Sequence, residues 1–124
     1  MIAPSELNAY RKVLDETLPP NKSLAEVFRR LLSVLGEAGR AIDEKDVPLA
    51  HRNLILGQEA MIYLASALDR EAGELASNLE QLYAYIHDRL VKANLDKDKL
   101  PLKEALRLLE VLLEGWERAE AGSK

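Results

Sequence analysis

Residues 78–94 read NLEQLYAYIHDRLVKAN. Leu79, Leu82, Ile86, Leu90 and Ala93 recur every three or four residues, so on a helix they form one apolar stripe. Tyr83 falls at the edge of that stripe and Tyr85 on its other flank, while Glu80, Gln81, Asp88 and Lys92 take the far side. Nothing in the stretch alternates with period two, which excludes a half-buried strand. The pattern predicts a helix that buries one face. It carries two tyrosines that each need a hydrogen-bond partner.

The rest of the chain repeats this logic. Residues 48–69 place Ala50, Leu54, Gly57, Met61, Leu64, Ala65 and Leu68 on one face, with Ile55 and Ile62 on one flank and Leu49 and Leu56 on the other. A helix this apolar is either central in its own bundle or partly reserved for a partner. Asp46 is placed to cap it, and Pro48 falls in its first turn. Upstream, Leu24, Val27, Phe28, Leu31, Leu35, Ala38 and Ile42 share a face, and Leu32 lies about 100° off it. Gly36 and Gly39 weaken that helix by roughly 1 kcal/mol each relative to Ala. They either permit a close helix crossing or are tolerated defects. The helix starts at Pro20, which suits a first helical position, or at Ser23, where Ser23-Leu24-Ala25-Glu26 reads as a capping box. Downstream, the polar run Asn94–Pro101 predicts a loop. The last helix is expected from about Pro101 to Ala119, on Leu102, Ala105, Leu106, Leu109, Leu112, Leu113 and Trp116, with Leu108 and Val111 well outside that stripe. Residues 5–18 predict a short helix capped by Ser5, with Leu7, Tyr10 and Leu14 as a narrow stripe. So short a helix is marginal alone and must dock on the rest of the protein or move.

Four long amphipathic segments joined by short links predict an all-α fold, an antiparallel up-down four-helix bundle with a short extra N-terminal helix. At 124 residues the chain is one domain. Residues 1–18 are expected as a mobile N-terminal segment and residues 20–120 as the bundle. There is no cysteine, which excludes disulfides and thiolate metal sites. No apolar run approaches the roughly 20 residues that span a bilayer, and the N-terminal residues lack a signal-peptide apolar region. These features fit a cytoplasmic protein with no membrane insertion. A formal net charge of −4 with interspersed charges argues against nucleic acid.

Catalytic patterns are missing. A di-iron bundle needs Glu-x-x-His pairs on facing helices, and the sequence has none. His51 and His87 stand alone, whereas a metal needs several converging ligands. Neither histidine is followed by the Leu-Lys-Gly-like run of a phosphotransfer bundle. No glycine-rich phosphate loop occurs, nor a hydroxyl and histidine at recognised spacing. The chain reads as a non-enzyme with no cofactor. Its informative residues are then the aliphatics off the core stripes: Leu32, Ile55, Ile62, Leu108 and Val111. They either seal bundle edges or form a groove for an amphipathic partner helix.

The stretch that opened the argument also resembles a known signature. Asn78-Leu79, Leu82-Tyr83, Tyr85, Arg89-Leu90 and Ala93-Asn94 are similar to the signature helix of the flagellin-specific export chaperones, the FliS family. Asn8-Ala9-Tyr10 resembles that family's amino-terminal Asn-x-Tyr segment, Ala41 to Asp46 the end of its first long helix, and Leu109 to Trp116 its last helix. The resemblance covers nearly the whole chain in order, and it favours Pro20 over Ser23 as the helix start. It implies a cytoplasmic chaperone that uses no cofactor. Such a chaperone binds the disordered C-terminal segment of flagellin, blocks premature polymerisation and aids delivery to the flagellar type III export apparatus. A component of the export gate would be a second partner, and the chain would be a monomer or weak dimer. Leu32, Ile55, Ile62, Leu108 and Val111 become candidate client contacts. Leu7, Tyr10 and Leu14 become a candidate plug that the client displaces. One departure concerns the client: where the family often carries Leu-Tyr-Asp-Gly, this chain has Val27-Phe28-Arg29-Arg30. A chaperone for another exported filament protein, or a self-associating helical adaptor, are the alternative readings.

Overall fold

Four helices and one 3₁₀ turn account for nearly all of the residues that the computed structural model describes, 23–122, the Arg70 side chain excepted. The helices are α1 (Leu24–Asp43), α2 (Val47–Ser66), α3 (Glu74–Asp96) and α4 (Lys99–Gly122), with the 3₁₀ turn Arg70–Ala72 ahead of α3. Each packs on its two neighbours in the ring order α1–α2–α3–α4, and α4 closes the ring against α1. Links of a few residues force antiparallel neighbours. The closing pair is antiparallel too, since Arg29 meets Glu117 at 3.0 Å and Asp43 meets Lys99 at 2.7 Å. This is the expected up-down bundle. The predicted helix over residues 5–18, with Leu7, Tyr10 and Leu14, lies outside the described residues.

The core is built from the predicted stripes. Phe28, Leu35, Leu54, Met61, Ile86, Leu90, Leu102 and Leu109 are fully buried. Two of the off-stripe candidates belong to this packing: Leu32 and Leu108 are half-buried and lie against the core cluster. A side chain 100° from the centre of a helix face still reaches a neighbour when a helix is flanked on both sides. Leu24, expected on the stripe, is exposed instead, because at the first helical position it precedes the packed turns.

Three local expectations are corrected. Helix α1 begins at Leu24, not Pro20: Ser23 is extended (φ −70°, ψ 161°), and its Oγ accepts from the Glu26 N–H at 3.2 Å. The hydroxyl satisfies a donor that the first helical turn cannot. The Asn94–Pro101 run is not a loop. Helix α3 continues through Asp96, and only Lys97 and Asp98 link it to α4. Lys97 adopts a left-handed conformation (φ 49°), which lets the Asp98 N–H reach the Ala93 carbonyl at 3.1 Å. Asp98 Oδ1 then accepts from the Leu100 N–H at 3.0 Å and opens α4. The polar residues that suggested a loop are therefore caps, and Pro101 sits harmlessly in a first turn. The close-approach glycine is neither Gly36 nor Gly39. A Cβ on Gly39 would meet nothing nearer than 3.5 Å, but one on Gly57 would stand 2.7 Å from Leu35 Cδ2 and 3.2 Å from Leu90 Cδ1. Gly57 is where α2 comes in against both α1 and α3.

Candidate binding groove

The seam between α2 and α3 opens to the outside. Met61, Ile62 and Ala65 of α2 face Tyr83, Ala84 and His87 of α3 across a groove of about 180 Å³, with Glu80 and Asp88 at its rim. The geometry follows from paired i, i+4 spacings. Positions 61 and 65 on one helix meet 80, 84 and 88 on its antiparallel neighbour, and small residues at 65 and 84 keep the seam from filling. Tyr83, placed by sequence at the edge of its stripe, is only 2% exposed and forms the floor. Burial desolvates its phenol and pushes the pKa up to about 12, so it stays neutral at physiological pH. His87 Nδ1 stands 3.7 Å from Asp88 Oδ1. The groove is thus an apolar slot with a polar edge on its α3 side.

The seam continues toward the far end of α2. Ile55 lies one heptad before Ile62, on the same face and half-buried, and Val47 two turns further on is exposed. On α3 the matching positions are Val91 and Leu95, the latter 77% exposed. A polar cluster holds the two helices together here. Lys97 Nζ donates to the Asn94 carbonyl (2.6 Å) and to Asn94 Oδ1 (2.8 Å). That fixes the amide so that Asn94 Nδ2 donates to His51 Nδ1 at 3.0 Å. Sequence reading had left His51 alone, since a side-chain pair 43 residues apart leaves no trace in spacing.

The five candidate contacts do not gather on one surface. Ile55 and Ile62 share the α2/α3 seam. Leu32 lies toward α4 on α1, Leu108 toward α3 on α4, and both pack on the core. Val111, 60% exposed, points outward from α4, across the bundle diagonal from α2. The groove's other lining residues, Ala65, Tyr83, Ala84 and His87, were missed as site residues. Their signal was present as small and aromatic residues at helical spacing, but only the pairing of α2 with α3 shows that they face each other. Among the described residues no group of three or more His, Asp or Glu side chains could hold a metal ion. No helix among the described residues is long and apolar enough to cross a membrane.

The family profile described as flagellar protein FliS aligns with residues 3–123. The chain belongs to the FliS family. It is 32% identical over 124 aligned positions to the flagellar secretion chaperone FliSB of Pseudomonas aeruginosa, covering 94% of this chain and 97% of that one. The flagellar secretion chaperone FliS of Salmonella typhimurium is 30% identical over 126 positions (95% and 92%). The protein of the same name from Bacillus subtilis is 27% identical over 111 (90% and 83%).

The residues that carry the FliS resemblance have structural duties here. Tyr83, Leu90 and Ala93 are core, Asn94 pins α3 to α2, and Arg89 lies over the Tyr85 ring at 5.4 Å. Tyr85 in turn donates its hydroxyl to Glu104 of α4. The departure from the FliS pattern at Val27–Arg30 also has a physical account. Phe28 is buried beside Trp116, ring centroids 6.4 Å apart, and Arg29 bridges to Glu117. Both stabilise the α1/α4 seam, which lies opposite the α2/α3 groove.

Proposed function

We propose that this FliS-family chain is a cytoplasmic export chaperone that binds the disordered C-terminal segment of flagellin, prevents its premature polymerisation and aids its delivery to the flagellar type III export apparatus. It does so by binding alone, without a catalytic step. The observation that carries this reading is the open apolar seam between α2 and α3. Its concave part lies between Met61, Ile62 and Ala65 of α2 and Tyr83, Ala84 and His87 of α3. An apolar slot of this kind takes the apolar face of a client helix. Ile55 and Ile62 are the contacts we assign to the client, with Tyr83 as the floor beneath it. Leu32 and Leu108 support the bundle under the contact surfaces.

The physics is coupled folding and binding. The client loses about 2–5 kcal/mol in ordering, offset by burial of apolar area on both partners. Because the Phe28–Arg29 departure lies across the bundle from the groove, it leaves flagellin favoured over another filament protein as the client. Leu7, Tyr10 and Leu14 retain their proposed role as a plug for the empty groove, a role that rests on sequence. Deleting residues 1–18 should then tighten client binding; unchanged or weaker binding would defeat the plug.

Calorimetric titration with a flagellin C-terminal peptide from the same organism tests the proposal. One-to-one binding with a large negative heat-capacity change is expected. Ile62→Asp should weaken it about 10–100-fold, since burying one isoleucine is worth about 1.5–3 kcal/mol. A folded Ile62→Asp variant that binds as tightly as the parent would refute the assignment of the groove.

A further inference from the structure

Two tyrosines of α3 meet opposite fates. Tyr85 is exposed, and its hydroxyl donates to Glu104 of α4. Tyr83 is 2% exposed and lines the α2/α3 groove, yet its hydroxyl makes no hydrogen bond among the described residues. Burial alone pushes its pKa up to about 12, with no contribution from a charged neighbour or a hydrogen bond. The phenol is therefore a neutral O–H whose proton is unused. A buried tyrosine hydroxyl ordinarily has a partner, and one without calls for an explanation. The polar side-chain atoms that are both sealed and unpaired among the described residues are Arg89 Nε and Trp116 Nε1. The Tyr83 hydroxyl is not one of them, and the surface its side chain retains lines the groove.

We propose that the Tyr83 hydroxyl is a specificity-determining contact of the groove, donating to the side-chain amide oxygen of an asparagine or glutamine on the client helix. This rests on the assignment of the groove to a client and says which client fits it. The client's backbone carbonyls are spent on its own helix, so the acceptor has to be a side chain. A carboxylate would leave water for an apolar slot and stand near the rim carboxylates of Glu80 and Asp88, and both effects oppose it. A lysine or arginine would bring a full charge onto a floor that includes Met61, Ile62, Ala65 and Ala84, and would leave the phenol proton unused. An amide is neutral, its oxygen accepts from the phenol, and its NH₂ group is a donor suited to the acidic rim. An aliphatic residue at the same client position would bury the hydroxyl unpaired, which is how a polar group in a site rejects an apolar analogue.

Calorimetric titration of the full chain with the flagellin C-terminal peptide tests this. Tyr83→Phe keeps the ring and removes only the hydroxyl. It should weaken binding about tenfold, because it leaves the client amide facing no donor. Tyr85→Phe, outside the groove, should bind like the parent. Replacing each asparagine of the peptide by leucine and each glutamine by methionine, one at a time, should find one position that shows the same loss on the parent and little further loss on Tyr83→Phe, the coupling of a direct pair. Urea melts of the free chain distinguish an unpaired hydroxyl from one already satisfied. Tyr83→Phe should unfold at the parent's urea concentration or a higher one. Earlier unfolding would place the hydroxyl's partner within the chain, residues 1–22 included, and would overturn the inference. Undiminished peptide binding by Tyr83→Phe, or a peptide with no coupled amide position, would overturn it while leaving the client reading intact. A parent chain that binds no peptide would refute the client reading itself, and this inference with it.

Discussion

Replacing Gly57 by alanine sets two opposed effects against each other at one atom. In an open helical position the change stabilises by about 0.8–1.0 kcal/mol, because alanine loses less backbone entropy on folding. Gly57 is not open: the new methyl would stand 2.7 Å from Leu35 Cδ2, 3.2 Å from Leu90 Cδ1 and 3.4 Å from Leu35 Cγ. Leu35 and Leu90 are both fully buried, so neither side chain can swing into solvent. Overpacking a core by one methylene costs about 1–3 kcal/mol. The net expectation for Gly57→Ala is a destabilisation of about 0–2 kcal/mol. Gly115, with nothing within 4 Å of its added Cβ, is the matched control and should gain about 1 kcal/mol. The difference between the two variants isolates the packing term at about 1–3 kcal/mol. Urea melts at constant slope measure it, and in thermal melts it should appear as a separation of roughly 4 °C per kcal/mol. Leu35→Val, which removes one methylene beside the new methyl, should recover part of the loss in the Gly57→Ala background and show coupling between the two sites. If Gly57→Ala proved as stable as Gly115→Ala, α2 would not make the close approach on which the seam's geometry depends.

Other consequences follow from single residues. Ser23→Ala removes the hydroxyl that accepts from the Glu26 N–H, and should lower stability by about 1 kcal/mol in denaturant melts, with α1 fraying first. Spectrophotometric titration should find one tyrosine ionising near pH 12, and Tyr83→Phe should abolish that step. The folded state then holds this proton more tightly than the unfolded chain does. Its contribution to stability is complete below about pH 10 and is lost as pH rises toward 12, and Tyr83→Phe should flatten that decline.

Much of the fold was legible because helical periodicity reports which face of each helix is buried. The stripes through Leu35, Leu54, Ile86 and Leu109 all lead into the core. Periodicity does not report which neighbour that face meets. Leu32 and Leu108 therefore stood equally for edge seals and for groove contacts, and flanking helices place both against the core. Gly57 likewise looked no different from Gly36 or Gly39 until α1 and α3 were placed against it. Links were read from polarity, and that failed at Asn94–Pro101, where polar side chains close two helix ends instead of opening a loop. At the N-terminus of α1 the local chemistry of Ser23 decided the boundary against the proline that resemblance favoured. Of the groove's lining, the apolar flank of α2 pointed to Ile62. Its other wall required the pairing of α2 with α3, since helical spacing places Tyr83 and Ala84 on their own helix without showing which neighbour they face.

The claim that a client helix lies in the α2/α3 seam can be read by a pair of fluorescent probes, one at the groove and one away from it. The chain has no cysteine, so Asp88→Cys on the groove's rim and Glu37→Cys on the solvent face of α1 each accept a single environment-sensitive fluorophore. Titration with the flagellin C-terminal peptide should shift the emission at position 88 to the blue, saturating at one peptide per chain, and leave position 37 unchanged. Saturable peptide binding that moves neither probe, or moves position 37 alone, would place the client elsewhere and contradict the account.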